Sequence, residues 1–176
     1  MNIALIGYRC SGKTAVGEIL GNELEMDFLD TDALIEEMAC CSLEALISRK
    51  GWDYFRTMEK ELVSNLSKRG NLVIATGGGV VMEEGNVQNL KKNSWIVWLK
   101  GRPEVLKARM SWDQRAGRGR PSLTGIDPRE EIEQVLRIRN PLYAQAGDLI
   151  VDTSDLSIRE AAASVITSLS NKSFRK

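Results

Sequence analysis

The segment GYRCSGKT at 7–14 sets two glycines, a lysine and a hydroxyl residue in the order G-x-x-x-x-G-K-T. It follows a short apolar run, IALI at 3–6, and precedes a helical pattern at 14–24, the setting in which this spacing is a phosphate loop. Backbone N–H groups at a turn and a helix N-terminus favour bound anions, a lysine there reaches the terminal phosphates, and a threonine hydroxyl can ligate Mg²⁺. The residues expected to contact a nucleotide triphosphate are Gly7, Cys10, Ser11, Gly12, Lys13, Thr14 and Ala15. A helix N-terminus can lower a thiol pKa, but Cys10 is read as a small residue filling a variable position.

A transferred phosphoryl group needs an acceptor, a metal and neutralising charge, and open α/β sheets bind ligands at the carboxyl ends of their strands. FLDTD at 28–32 ends one apolar run. In extended chain Asp30 and Asp32 would point the same way, so that one could support hydrated Mg²⁺ and the other accept a hydroxyl proton. Asp32 could instead be only the N-cap of the next helix. ATGGGV at 75–80 ends another run, where many phosphate-loop proteins carry a metal-binding aspartate. Here Thr76 and three glycines stand instead, leaving bare backbone for a small ligand and Asp30 as the best remaining metal carboxylate. Arg56 lies off the apolar stripe of its helix with Glu59 one turn on, and Arg139 lies in RNPLY. Each alone reads as a solvated charge, but two guanidinium groups beside a glycine turn suit a carboxylate substrate.

The chain of 176 residues contains no histidine, which removes histidine-based nucleophilic catalysis and histidine metal sites and leaves Asp32 as the leading base. Basic and acidic residues balance at 24 each, against a nonspecific nucleic-acid or membrane surface. Three cysteines, Cys40 and Cys41 adjacent, make neither a disulfide framework nor a metal-ligand spacing. The first apolar run is too short for a signal peptide or a membrane span, so a cytoplasmic protein is expected.

The elements that must position these residues alternate. Apolar runs at 3–6, 72–75, 95–99 and 149–151, with a weaker one at 26–29, lack polar alternation, as strands buried on both faces should. Helical patterns fall between them at 14–24, 55–66, 87–90 and 103–110. The order predicts parallel strands with right-handed crossovers in an α/β three-layer sandwich. Residues 33–50 offer extra helices, 111–126 are polar with no apolar period, and a pattern over 127–139 is expected to stop before Pro141. Ser157 and Glu160 have capping-box spacing ahead of a last helix over 161–169.

Taken together, GYRCSGKT, FLDTD, FRTME, ATGGGV, RGRPSL and RNPLY, in this order and spacing, resemble the shikimate kinases, relatives of the nucleoside monophosphate kinases. The resemblance runs from Asn2 to about Leu169. It implies a P-loop NTPase-type fold with a five-stranded parallel sheet in order 2-3-1-4-5 and a mobile lid. Residues 1–176 would form a single kinase domain, with a substrate-binding insertion at about 33–61 and the lid at about 111–126. The implied reaction is ATP-dependent phosphorylation of the 3-hydroxyl of shikimate, with Mg²⁺ as cofactor and a monomer as the working form. Carried over residue by residue, the catalytic set is Lys13, Asp32 and Arg120, and Asp30 joins Thr14 at the metal. Asp32, Arg56, Gly77, Gly78, Gly79 and Arg139 contact the acceptor, while Arg109, Arg120 and Thr153 join the ATP site. Arg120 is preferred to Arg115 and Arg118 because it directly precedes Pro121. Ser122 stands where the family usually has an apolar residue, and Trp112 either caps the nucleotide or packs the base of the lid. Gluconate kinase, adenylate kinase and a nucleotide-dependent binding module share parts of this pattern; paired arginines facing a glycine turn favour a small carboxylate acceptor.

Overall fold

The computed structural model describes residues 1–115 and 131–173. Five strands, β1 (Asn2–Ile6), β2 (Asp27–Asp30), β3 (Leu72–Ala75), β4 (Ser94–Lys100) and β5 (Leu149–Asp152), form one parallel sheet in the order 2-3-1-4-5. Every ladder is parallel, with Leu5 opposite Ala75 and Val97, and Asp30 opposite Ala75. The central strands β1 and β3 are buried along their whole length, which is why they read as unbroken apolar runs. The edge strand β2 is only half-buried, and its signal in the sequence is correspondingly weak.

Helices α1 (Lys13–Leu24), α2 (Thr31–Ala39), α3 (Leu43–Lys50), α4 (Trp52–Leu66), α5 (Glu84–Asn93), α6 (Pro103–Arg115), α7 (Ile132–Ala146) and α8 (Ile158–Ser173) cover the two faces of the sheet. On one face α1 and α8 pack Val16, Leu20, Ala161, Ala162 and Val165 on Ile3, Leu5 and Val97. Burying a Val or Leu of this kind contributes about 1.5–3 kcal/mol. On the other face Val63, Leu90 and Tyr143 meet Ala4, Ile6, Ile96 and Trp98. The region 33–61 supplies α2, α3 and the first turns of α4, which close a small core of Ile35, Leu43, Leu46 and Phe55 over the end of β2.

Two expectations fail. Helix α7 does not stop before Pro141 but runs through it to Ala146. Pro141 is exposed, so the carbonyl that lacks its amide partner faces water, while Tyr143 and Ala146 are buried and hold the helix on the sheet. Nor are Asp30 and Asp32 in extended chain. β2 ends at Asp30, whose Oδ1 accepts from the amides of Asp32 and Ala33 at 2.9 and 3.3 Å, so Asp30 is the N-cap and Asp32 sits in the first turn of α2. The last helix starts as expected: Ser157 N–H donates to Glu160 Oε2 at 2.8 Å, and Glu160 N–H to Ser157 Oγ at 3.2 Å.

Candidate active site

The phosphate loop leaves β1 at Gly7, whose φ is 143° and whose missing Cβ makes room for the carbonyl of Leu99. Gly12, at φ 97°, turns the chain into α1, whose first amides have no helical acceptor by position. Cys10 also lies in the left-handed region at φ 60°, a conformation that costs a non-glycine residue about 1 kcal/mol. Lys13 folds back over the loop and donates to the carbonyls of Gly7 and Tyr8 at 2.9 and 2.8 Å. Its ammonium is thus held over the turn where an anion would sit.

Thr14 Oγ1 donates to Asp30 Oδ2 at 2.7 Å, which sets a hydroxyl and a carboxylate oxygen side by side at the mouth of the loop. These are hard oxygen donors of the kind Mg²⁺ takes alongside phosphate oxygens and water, so the pair fits that ion. Among the described residues no cluster of three or more His, Cys, Asp or Glu offers a closed protein cage for a metal. Thr76, standing where an aspartate might have been, donates its hydroxyl to Leu5 O at 2.9 Å and is buried.

Around the loop lies a cleft of about 680 Å³ lined by residues 9–16, Asp30, Asp32, Thr76, Arg109, Met110, Trp112, Thr153, Leu156, Ser157 and Ile158. Arg109 donates to Thr153 Oγ1 at 3.1 Å and to Thr153 O at 2.7 Å, and so joins α6 to the turn after β5. Beside the cleft is a smaller pocket of about 60 Å³, lined by Tyr8, Arg9, Asp32, Trp52, Phe55, Arg56, Glu59, the three glycines 77–79 and Arg139. Asp32 and Arg9 line both cavities. Asp32, only 6% exposed, is therefore the carboxylate on the boundary between them.

The three glycines form a wall because side chains fill the space a Cβ would take. A Cβ on Gly77 would meet Glu59 Oε1 at 2.7 Å and Asp32 Oδ1 at 2.8 Å; one on Gly79 would strike the guanidinium of Arg56. Arg56 Nη1 donates to Glu59 Oε2 at 2.6 Å, and the Arg56 guanidinium lies over the Trp52 and Phe55 rings at 5.6 and 5.0 Å. Arg139 donates to Gly78 O at 3.1 Å, and Tyr143, one turn further along α7, donates to the same carbonyl. Burial pushes the Glu59 carboxyl above the usual carboxylate range, against the pull of Arg56. Burial likewise raises the Tyr143 phenol, which stays a donor at any physiological pH.

All the expected site residues within the described region thus gather at the carboxyl end of the sheet. Arg118 and Arg120 lie outside the described residues, as does the greater part of the expected lid; of Arg115 only the backbone, at the end of α6, is described. Reading residue types missed Arg9 and Tyr143, and noted Glu59 beside Arg56 without giving it a role. Arg9 pairs with the fully buried Glu131 at 2.5 Å. Tyr143 had a signal, since it stands four residues after Arg139 and so on the same helix face. For Glu59 the one-turn spacing from Arg56 was visible, but its burial was not, because that depends on α2 and α3 folding over α4.

The shikimate kinase family model matches residues 9–170. Among curated relatives, the shikimate kinase of Caldanaerobacter subterraneus subsp. tengcongensis is 42% identical over 165 residues, 94% of each chain. Among solved structures, the shikimate kinase from Acinetobacter baumannii in complex with shikimate superposes with a TM-score of 0.89 at 32% identity, covering 97% of this chain and 94% of that one. A gluconokinase from Sinorhizobium meliloti reaches a TM-score of 0.53 at 17% identity, over 99% of this chain and 97% of its own, a likeness of fold alone. With a match of this length around a glycine-walled pocket that shares an aspartate with a phosphate cleft, the chain belongs to the shikimate kinase family.

Proposed function

We infer that this chain transfers the γ-phosphoryl group of ATP to the 3-hydroxyl of shikimate, a step in aromatic amino-acid biosynthesis. The observation that carries this reading is the small pocket in which Arg56 and Arg139 face the Gly77–Gly79 wall and Asp32 looks into the phosphate cleft. A hydroxy-carboxylate placed there has its anion against two guanidinium groups and its hydroxyl toward the phosphates.

Phosphoryl transfer passes through a loose transition state, so positioning and charge neutralisation dominate. The amides of the loop and the Lys13 ammonium bind the phosphates, Lys13 exchanging the carbonyls of Gly7 and Tyr8 for phosphate oxygens. Thr14 and Asp30 are the residues that would hold Mg²⁺, which when bound neutralises phosphate charge. Asp32 orients the accepting hydroxyl and takes its proton. Arg56, Arg139 and the backbone of Gly78 clamp the carboxylate, with Gly77 and Gly79 lining the wall beside it. Arg109 and Thr153 flank the base of the nucleotide. Arg120, with 111–126 as a lid, adds charge over the phosphates, and residues 33–61 serve as the substrate-binding part of one kinase domain. The working form in this reading is a cytoplasmic monomer whose partners are ATP and shikimate. Among the described residues no helix is long and apolar enough to cross a membrane.

The test is ADP release from MgATP with shikimate, gluconate, AMP or no acceptor. Release that depends on shikimate alone is expected. Equal turnover without shikimate, or a preference for gluconate, would overturn the assignment.

A further inference from the structure

Arg9 and Asp32 are the described residues that line both the phosphate cleft and the acceptor pocket. Asp32 has its part in the reaction above; Arg9 has none. The main chain of Arg9 is packed against the glycine wall, since a Cβ on Gly78 would lie 3.3 Å from the Arg9 amide nitrogen. Its side chain is only 10% exposed and donates from Nη2 to Oε1 of the fully buried Glu131 at 2.5 Å. The guanidinium lies over the Tyr8 ring, 5.4 Å from the centroid. Glu131 is the N-cap of α7, the helix whose Arg139 donates to the Gly78 carbonyl. One helix is therefore tied to the phosphate loop through Arg9 and to the acceptor wall through Arg139.

A buried ion pair is weak evidence for stability, because desolvation of the two charges offsets most of their attraction. What this pair secures is the position of a cation. During transfer the acceptor hydroxyl oxygen bonds to the γ-phosphorus as the bond from that phosphorus to the β–γ bridging oxygen breaks. The hydroxyl proton passes to Asp32, and the electron pair of the broken bond goes to the bridging oxygen, which leaves with ADP. Midway, charge is spread over the three equatorial oxygens of a group crossing from one cavity to the other, where Asp32 adds negative charge of its own. Lys13 lines the cleft, and Arg56 and Arg139 line the pocket. Arg9 is the described cation common to both, and a guanidinium is a planar fork that matches oxyanions. We propose that Arg9 is a catalytic residue, binding equatorial oxygens of the phosphoryl group as it crosses, and that Glu131 is the positioning residue that holds Arg9 at the boundary. The proposal rests on the reading of the two cavities as donor and acceptor sites, not on shikimate as the acceptor.

The experiment is steady-state kinetics of the full chain with MgATP and shikimate, and with MgATP alone to read transfer to water. The variants are Arg9→Met, Arg9→Lys, Glu131→Gln and the double variant Arg9→Met/Glu131→Gln. The double variant removes both charges together, so that no unpaired buried carboxylate is left to unfold the chain. Arg9→Met and the double variant should each lose about 10²–10³ in kcat while both KM values stay within about threefold, and Arg9→Lys should recover part of the loss. Glu131→Gln should lower kcat about tenfold in the wild-type background and add almost nothing to Arg9→Met. Wild-type kcat in the double variant would overturn the proposal. So would a loss confined to the shikimate KM, which would place Arg9 on the acceptor's anion instead. Effects of Arg9→Met and Glu131→Gln that simply add would remove Glu131 from its positioning role. The acceptor assignment fails separately: a wild-type chain that does not turn over shikimate refutes it, while transfer to water still reads Arg9. That slower reaction should fall by about the same 10²–10³ in the double variant, and an unchanged rate would overturn the inference.

Discussion

Gly79→Ala is the sharpest probe of the acceptor pocket. Gly79 has φ −103° and ψ 2°, backbone that alanine adopts freely, so any effect comes from the added methyl. That methyl would sit 2.8 Å from both Cζ and Nη1 of Arg56, closer than a carbon can approach, and nearer still to Nη2. Arg56 must move, but its partner Glu59 is fully buried and cannot follow. A shift of about 1 Å takes the 2.6 Å bond beyond hydrogen-bonding range and displaces one of two guanidinium groups from the clamp. Hydrogen bonds to charged groups contribute about 1.5–3 kcal/mol, so the shikimate KM should rise about 10- to 150-fold while the ATP KM stays within about twofold. Steady-state kinetics with each substrate varied in turn measures both. Because the methyl acts through Arg56, Gly79→Ala should add almost nothing on an Arg56→Ala background, as a double-mutant cycle reads. An unchanged shikimate KM, or two effects that simply add, would refute the argument.

Other perturbations distinguish neighbouring groups. Gly77→Ala drives a methyl against Glu59 Oε1 and Asp32 Oδ1, both on buried side chains, so kcat should fall at least about tenfold and Tm should drop with it; a variant with normal kcat would separate Asp32 from the reaction. Burial raises the Glu59 pKa in the folded state, so the folded protein holds that proton to higher pH than the unfolded chain. Wild-type stability relative to Glu59→Gln should therefore fall as pH rises from the ordinary carboxylate value to the raised one, then level off; urea unfolding across that range showing a rise would mean that Arg56 outweighs burial. Arg102 makes two bonds of 2.7 Å to Asp155, and its own amide donates to Ser154 Oγ at 2.9 Å, beside the wall of the nucleotide cleft. Arg102→Ala should raise the ATP KM about two- to fivefold at low ionic strength, an effect that disappears near 1 M salt because the pair is exposed; a loss that persists at high salt would point to some other role for the side chain.

The phosphate loop and the buried strands were legible because their physics is local. β1, β3 and β4 have no face in water, and the loop's glycines, lysine and threonine lie within eight residues. The order of the strands was legible only through the resemblance, since no local pattern specifies which strand lies beside which. Asp30 and Asp32 were found but their geometry was misjudged, because the strand ends two residues earlier than an extended FLDTD requires. Pro141 was given the power to end a helix that two buried residues beyond it carry on. Arg9 escaped notice because its partner Glu131 lies 122 residues away, and Glu59, noted beside Arg56, gave no local sign of the burial that α2 and α3 impose on it.

Helix α7 has one more consequence. Arg139 and Tyr143 reach the same carbonyl oxygen from successive turns, and four residues of helix advance about 6 Å along the axis. The carbonyl of Gly78 is thus gauged by a single helical turn, in the manner of a caliper with Pro141 on its outer, exposed side. Inserting or deleting one residue between the two jaws would rotate them by about 100°, and no adjustment of the glycine wall could bring both back to one atom. The depth of the acceptor pocket is therefore written into the count of residues between 139 and 143, a length on which the chain has no slack.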